Sequence, residues 1–250
     1  MLELGWPLLR AASVDSTMRW ARTSLEEGTA GPGAVFVAAS QTAGRGRRGR
    51  AWLSLPGKGL YLTAVLPGTL AEPAVTLAAA VALAEAAERA CGVRSEVKWP
   101  NDLLLEGMKW AGLLAEAVAQ RGGDAVLLGI GANLNHRAAD FEPELSGRAT
   151  SLAIASGSPV DSEVMLTLVI ERLEERLGAF EKGGFAAVAD LYRRRAAFAP
   201  GDQLEVELPG QPARRLTLRG LDEDGRLLAE EFPEPLSVAA AISVRRRAGT

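Results

Sequence analysis

The sequence predicts an α+β protein, with a mixed-sheet body over residues 1–199 and a small all-β module over residues 200–250. Three observations lead there. Alternating or continuously apolar runs of strand length recur at Ala34–Ser40, Gly59–Leu66, Lys109–Val118 and Asp124–Asn133. Two long helical stretches with start and stop residues interrupt them, at Pro73–Cys91 and Asp161–Lys182. After Ala199-Pro200-Gly201 the character changes to short strands separated by Pro-Gly, Asp-Gly and Pro-rich turns.

In order, Leu8–Val14 is apolar enough for a first strand. Asp15-Ser16-Thr17 offers a side-chain cap to a helix over Met18–Glu27, and Gly28 lies past its end. The same residues set small hydroxyls at a strand-to-helix turn, where a polar ligand can be held. Ala34–Ser40 leads straight into Gln41–Trp52. Gly59–Leu66 alternates and is ended by Pro67-Gly68. The Ala-rich helix to Cys91 stops at Gly92 and carries an apolar stripe of Val75, Ala79, Leu83 and Ala86. Val93–Trp99 is a strand broken by Pro100, and Leu103–Leu105 a short strand closed by the tight turn Glu106-Gly107. In Lys109–Val118, Trp110, Gly112, Leu114 and Glu116 fall on one side, with Ala111, Leu113, Ala115 and Ala117 on the other. Leu145–Ser151 reads as a turn-rich lid. Asp161 caps a helix that buries Leu166, Val169, Leu173 and Leu177, and Phe185–Phe198 is a last helix. The module's strands are Gln203–Leu208, Arg214–Leu221, Arg226–Glu231 and Ala241–Arg246.

Composition removes several function classes. The sequence contains no run of 18 apolar residues, so no membrane span is expected. The N-terminus has an early acid and no basic leader, which points to a cytoplasmic protein. A single cysteine, Cys91, rules out an internal disulfide framework or a thiolate metal cluster. A single histidine, His136, lies in a polar, loop-like stretch, so the chemistry should not depend on an imidazole. Charge stabilisation and positioning are left.

The most informative stretch is Gly44–Arg50, where Arg45, Arg47, Arg48 and Arg50 alternate with Gly44, Gly46 and Gly49. A concentrated positive loop in a protein of formal net charge −3 calls for an anion. Like charges at this spacing repel and glycines do not hold a shape, so the loop should order around a negatively charged small molecule. The glycines match G-x-G-x-x-G, but Pro56, Gly57 and Gly59 preclude the helix that a dinucleotide fingerprint needs. A nucleic-acid patch is the reading from another class, opposed by the net charge and by only 5% aromatic residues. Two further stretches set cations beside apolar slots: Lys98-Trp99-Pro100-Asn101-Asp102, and Lys109 followed three residues later by Gly112, whose missing side chain leaves room for a ligand.

Taken together, Gly44–Arg50, Lys98–Asp102, Lys109-x-Ala-Gly112 and Gly129-x-Gly-x-Asn133, with Asp15-Ser16-Thr17 and Gln41, resemble the biotin–protein ligase family in the same order, over roughly Ser13 to Arg246. The resemblance implies a class II synthetase-like catalytic domain with a small C-terminal SH3-like β-barrel. It implies joining of biotin to a carrier lysine by way of biotinyl-AMP, with ATP and biotin as substrates and Mg²⁺ as cofactor. Ser16, Thr17 and Gln41 would bind the ureido head of biotin. Gly44, Arg45, Gly46 and Arg47 would form the loop over biotin and phosphates, with Trp52 flanking the biotin chain. Lys109 would bridge the biotin carboxylate and the α-phosphate, with Gly112 making room; Lys109, Arg45 and Arg47 are the catalytic candidates. Arg47, Arg48, Lys98, Asn101, Asp102, Lys109, Asn133 and Arg245 would lie on the ATP side, with Asp102 as the Mg²⁺ ligand. Met18 and Trp110 depart from the family pattern. The partner implied is a biotin carboxyl carrier protein or domain, and a homodimer is expected. With no winged-helix segment before the first motif, a monofunctional ligase without DNA binding is expected. A lipoate–protein ligase is the nearest alternative enzyme.

Overall fold

A computed structural model of the chain describes residues 2–119, 123–241 and 243–246. Seven strands form one mixed sheet: β1 (Leu8–Ala11), β2 (Val35–Ala38), β3 (Gly59–Pro67), β4 (Glu96–Lys98), β5 (Asp102–Leu105), β6 (Met108–Val118) and β7 (Ala125–Asn133). They lie side by side in the order β1-β2-β3-β7-β6-β5-β4, and only β1 and β2 are parallel. The hairpin between β5 and β6 turns on Glu106 and Gly107, both at positive φ (50° and 78°), the geometry of a two-residue primed turn.

Alternation sorts each strand's side chains between two faces. Leu62, Ala64 and Leu66 of β3 join the larger core with α2 (Val75–Cys91) and α4 (Ser162–Gly183). Val65 faces the other way, packing with Met18, Ala21 and Leu25 of α1 (Thr17–Glu26). The expected stripe on α2 is instead burial nearly all round, from Val75 to Ala84 without a break. Its alanines permit this, because α2 lies between the sheet and α4 and small side chains let both approach. Gly92 at φ 71° ends it in the left-handed region. On α4, Asp161 Oδ1 accepts from Glu163 and Val164 N–H at 2.8 and 3.1 Å, and the expected Leu166, Val169, Leu173 and Leu177 are buried.

One expected helix changes. The helix expected over Phe185–Phe198 is a single turn at Phe185–Ala187 followed by a short α5 (Ala189–Arg193), α3 being the short helix Leu152–Ser156. The remainder runs along the sheet edge instead: Val97 N–H donates to Arg195 O at 2.6 Å, and Ala197 N–H to Val97 O at 3.0 Å. Backbone pairing to an otherwise open edge strand outcompetes the helix.

The C-terminal residues form a second, antiparallel sheet of β8 (Gln203–Glu207), β9 (Arg214–Leu221), β10 (Leu227–Ala229) and β11 (Ser243–Arg246), in the order β10-β9-β8-β11. Ile242, inside the strand expected at Ala241–Arg246, lies outside the described residues. Leu204, Val206, Leu216 and Val244 belong to the same buried cluster as α2 and β3. Trp99 Nε1 donates to Gly225 O at 3.1 Å, so the module is joined to the body through shared core. Among the described residues no helix is long and apolar enough to cross a membrane.

Candidate active site

A cavity of about 700 Å³ opens on the α1 side of the sheet, walled by the β1–α1 turn, the arginine loop, β5, β6, β7, the segment 141–149 and β11. That volume suits a small-molecule site. At its neutral end Gln41 is central. Its Oε1 accepts from Thr17 N–H at 2.9 Å and Thr17 Oγ1 at 3.2 Å, and its Nε2 donates to Ser54 Oγ at 2.9 Å. Thr63 Oγ1 donates to Thr17 Oγ1 at 2.9 Å from beneath. The start of α1 is therefore satisfied by Gln41, a side chain distant in sequence. The cap expected from Asp15-Ser16-Thr17 is absent: Ser16 stands at the N-cap, but its buried hydroxyl makes no hydrogen bond among the described residues and lines the cavity.

The middle of the cavity is a bed of glycines. Gly112 on β6 pairs with Gly131 on β7, and Gly129 lies two residues along the same face. Trp52 lies against this bed: a Cβ on Gly131 would stand 2.5 Å from its ring, and one on Gly112 3.2 Å. A Cβ on Gly129 would meet the Met18 sulfur at 2.9 Å, so Met18 closes the floor beside α1.

Strict alternation puts Lys109 and Gly112 on opposite faces of β6, yet a Cβ on Gly112 would lie 3.0 Å from Lys109 Nζ. A bulge resolves this. Leu103 pairs with Ala111 and Leu104 with Lys109, leaving Trp110 unpaired between them. The extra residue turns Trp110 into the α2-side core, fully buried, and delivers Lys109 to the cavity. Trp110 does not share a side with Gly112, which corrects the expected alternation.

The other end is cationic. Among the described residues eight basic side chains and three carboxylates line the cavity, in a protein of net charge −3. Asp102 is held between two lysines, with Lys109 Nζ at 2.5 Å and Lys98 Nζ at 4.0 Å. Lys109 Nζ also sits 5.2 Å from the centre of the Trp52 ring. Burial holds the Lys98 ammonium below its ordinary pKa; Asp102 opposes this, while the charges of Lys109, Arg148 and Arg245 add to it. Arg245 is ion-paired to Glu205 and also lines the cavity.

The arginine loop is a small hairpin. Gly46 N–H donates to Arg50 O at 2.7 Å, and Trp52 N–H to Gly44 O at 2.9 Å. Two of its guanidiniums find hydrogen-bond acceptors in the protein itself. Arg47 donates to Asn101 Oδ1 at 3.2 Å, Val238 O at 2.9 Å and Ala241 O at 2.8 Å, and Arg48 donates to Ala240 O at 3.0 Å. Burial, the larger influence, and neighbouring Arg48 lower the Arg47 pKa.

Of the expected site residues, Gly44 alone is not on the cavity wall. A Cβ there would stand 2.7 Å from Trp52 O and 2.8 Å from Ser54 Oγ, so its place is the crossing of the loop's two arms. Asn133 lines the cavity and spends its amide on Thr150 O at 3.0 Å. Three wall or support residues had no local signal, Ser54, Phe141 and Arg148, and a fourth, Thr63, had a weak one. Thr63 was legible only as a polar residue in an apolar strand. His136, in a stretch that reads as polar and loop-like, is only 1% exposed and stacks on Phe141 with ring centres 5.4 Å apart.

Residues 11–134 match the model of the biotin/lipoate A/B protein ligase family. The chain is 33% identical over 231 residues to the bifunctional ligase/repressor BirA of Bacillus spizizenii, covering 91% of this chain and 70% of that protein. It is 34% identical over 202 residues to the biotin–[acetyl-CoA-carboxylase] ligase of Paracoccus denitrificans, covering 78% and 83%. The fold superposes with a TM-score of 0.83 at 30% identity on the Aquifex aeolicus biotin protein ligase solved with biotin and ATP, covering 96% and 99% of the two chains.

Proposed function

The chain belongs to the biotin–protein ligase family, and on that footing we infer that it is an ATP-dependent biotin–[acetyl-CoA-carboxylase] ligase. It activates biotin as biotinyl-5′-AMP and transfers the biotinyl group to a lysine of a biotin carboxyl carrier protein or domain. One observation carries the reading: a neutral hydrogen-bonding end and a cationic end of one cavity, joined by a glycine bed under Trp52. A ligand with a polar ring, an apolar chain and a carboxylate fits that sequence of surfaces.

In this reading the ureido head lies against Ser16, Thr17 and Gln41, its N–H groups and carbonyl meeting acceptors and donors there. The chain runs over Gly112 and Gly131 beside Trp52, and the carboxylate ends at Lys109. A carboxylate oxygen attacks the α-phosphorus of ATP, the bond from that phosphorus to the bridging oxygen breaks, and pyrophosphate leaves. Two anions must meet for this, so a cation between them lowers the barrier. Lys109 takes that part by leaving Asp102 for the carboxylate and α-phosphate. Arg45, Arg48, Lys98, Asn101, Asn133 and Arg245 flank the phosphates and nucleotide, and Gly46 lets the loop approach. Arg47 has five N–H donors, of which three are engaged; Nε–H and one Nη1–H are left for a phosphate. In the second step the carrier lysine amine attacks the acyl carbon, the amide forms, AMP leaves and a proton is released.

No group of three or more His, Cys, Asp or Glu side chains gathers among the described residues, so an Mg²⁺ ion fits here only as one carried by the triphosphate and leaning on Asp102. It would supply charge neutralisation at the phosphates. The catalytic body is residues 1–199, and the C-terminal sheet is the core of a small SH3-like barrel over 200–250.

The test is incubation with ATP, labelled biotin and an apo carrier domain. Label on the carrier, absent when lipoate replaces biotin, is the expected result; no label defeats the assignment. Lys109→Ala should lower biotin-dependent pyrophosphate release by about a hundredfold or more, the scale of losing a transition-state charge contact.

A further inference from the structure

Six of the eight cations on the cavity wall are already engaged. Arg47 and Arg48 donate to carbonyls of residues 238–241, Arg50 faces Glu207 at 4.0 Å, Lys98 and Lys109 share Asp102, and Arg245 holds Glu205. Arg45 and Arg148 make no ion pair or side-chain hydrogen bond among the described residues. Arg45 belongs to the arginine loop. Arg148 comes from a different part of the chain, beside Lys109, on an irregular segment that carries no anion-binding motif.

We propose that Arg148 is a substrate-contacting residue of the ligase reaction that grips the polyphosphate of ATP; this rests on the ligase reading above. The backbone around Arg148 is strapped to Lys109 on both sides. Lys109 N–H donates to Arg148 O at 2.8 Å, and Thr150 N–H donates to Lys109 O at 2.9 Å. The strap is tied in turn at Thr150 O by the Asn133 amide at 3.0 Å, and at His136 O by the Ser151 hydroxyl at 2.7 Å. The stem of Arg148 is therefore fixed one strand spacing from Lys109, and only its side chain remains to be ordered. An exposed arginine usually serves solubility alone. This one lines the cavity, lacks a carboxylate partner, and adds its charge to those of Lys109 and Arg245 around Lys98. Three cations converging on a fourth repel one another, and a polyanion relieves that repulsion. The attachment also couples the two sides of the displaced bond. Lys109 meets the α-phosphate, and Arg148, on the same strap, meets the phosphates that depart.

The experiment measures biotin-dependent pyrophosphate release in Arg148→Lys, Arg148→Ala and Arg148→Glu. The KM for ATP should rise in that order, reaching about tenfold in Arg148→Ala, the scale of one charge-assisted hydrogen bond. The KM for biotin should stay within about twofold, since a rise confined to one substrate marks a lost contact to that substrate. Arg148→Lys keeps the charge, so a partial rescue separates contact from folding damage. A KM for ATP that does not move, or moves together with that for biotin, overturns the proposal. A wild-type chain that releases no pyrophosphate from biotin and ATP removes the ligase reading, and this proposal with it.

Discussion

Single residues decide the cavity by what they lack as much as by what they carry. Gly131 is the sharpest case, because its missing side chain is the space that Trp52 fills. Gly131→Ala should push the indole into the cavity and raise the KM for biotin about tenfold, from an overpacking cost of about 1–3 kcal/mol. Steady-state kinetics with unchanged KM would mean that Trp52 shifts freely. His136 acts on stability instead. Burial, the main influence, holds its imidazole below the ordinary 6.5, with Asp140 opposing it and the Lys58 charge adding to the effect, partly offset by the Lys58 backbone. Between the two pKa values the unfolded chain binds a proton that the folded chain refuses. Stability from this group is thus complete above pH 6.5 and declines as pH falls through the window beneath it. Among the described residues neither ring nitrogen makes a hydrogen bond within 3.5 Å, so His136→Leu loses none of that length. It should show a smaller drop in unfolding midpoint between neutral pH and about pH 5 than the parent; an equal drop would assign the acid sensitivity to other groups.

At the scale of elements, the bulge at Trp110 and the arginine hairpin share one principle, that a locally irregular backbone aims side chains which regular structure would misdirect. Without the unpaired residue, Lys109 would face α2. The hairpin depends on Arg47, which ties it to Asn101 and to the carbonyls of Val238 and Ala241. Arg47→Gly should cut all three ties and remove the two remaining donors. The loop should then be cleaved faster by trypsin at its other arginines, and the biotinyl-AMP formed should escape to solvent sooner. Intermediate release at the parent rate would show that the ties do not hold the cavity closed.

For the molecule as a whole, the buried cluster runs from α2 and α4 through the sheet into β8, β9 and β11. Leu204, Val206 and Val244 are each no more than 1% exposed, and Gly225 packs against Leu77 and Phe185. Two pieces that share a core unfold together. Calorimetry on the full chain should give a single transition, and residues 1–199 alone should be soluble only poorly, with a bared apolar face. Two separated transitions would show that the module is held by its surface contacts alone.

The sequence alone determined most of the strands, both long helices and most of the polar side chains that line the cavity, because strand alternation, helix stops and clustered arginines are local signals. It could not determine that Arg47 ends on the carbonyls of residues 238 and 241, or that Arg148 stands beside Lys109. Those pairings join residues far apart in the chain, and the sequence holds no spacing that encodes them. Trp110 shows the boundary most clearly. Read along β6 it belongs beside Gly112, yet the bulge carries its indole through the sheet into the α2-side core, where packing of the ring outweighs an Nε1–H left without a partner among the described residues. That tertiary preference, rather than the pattern of β6 itself, is what brings the lysine to the substrate side.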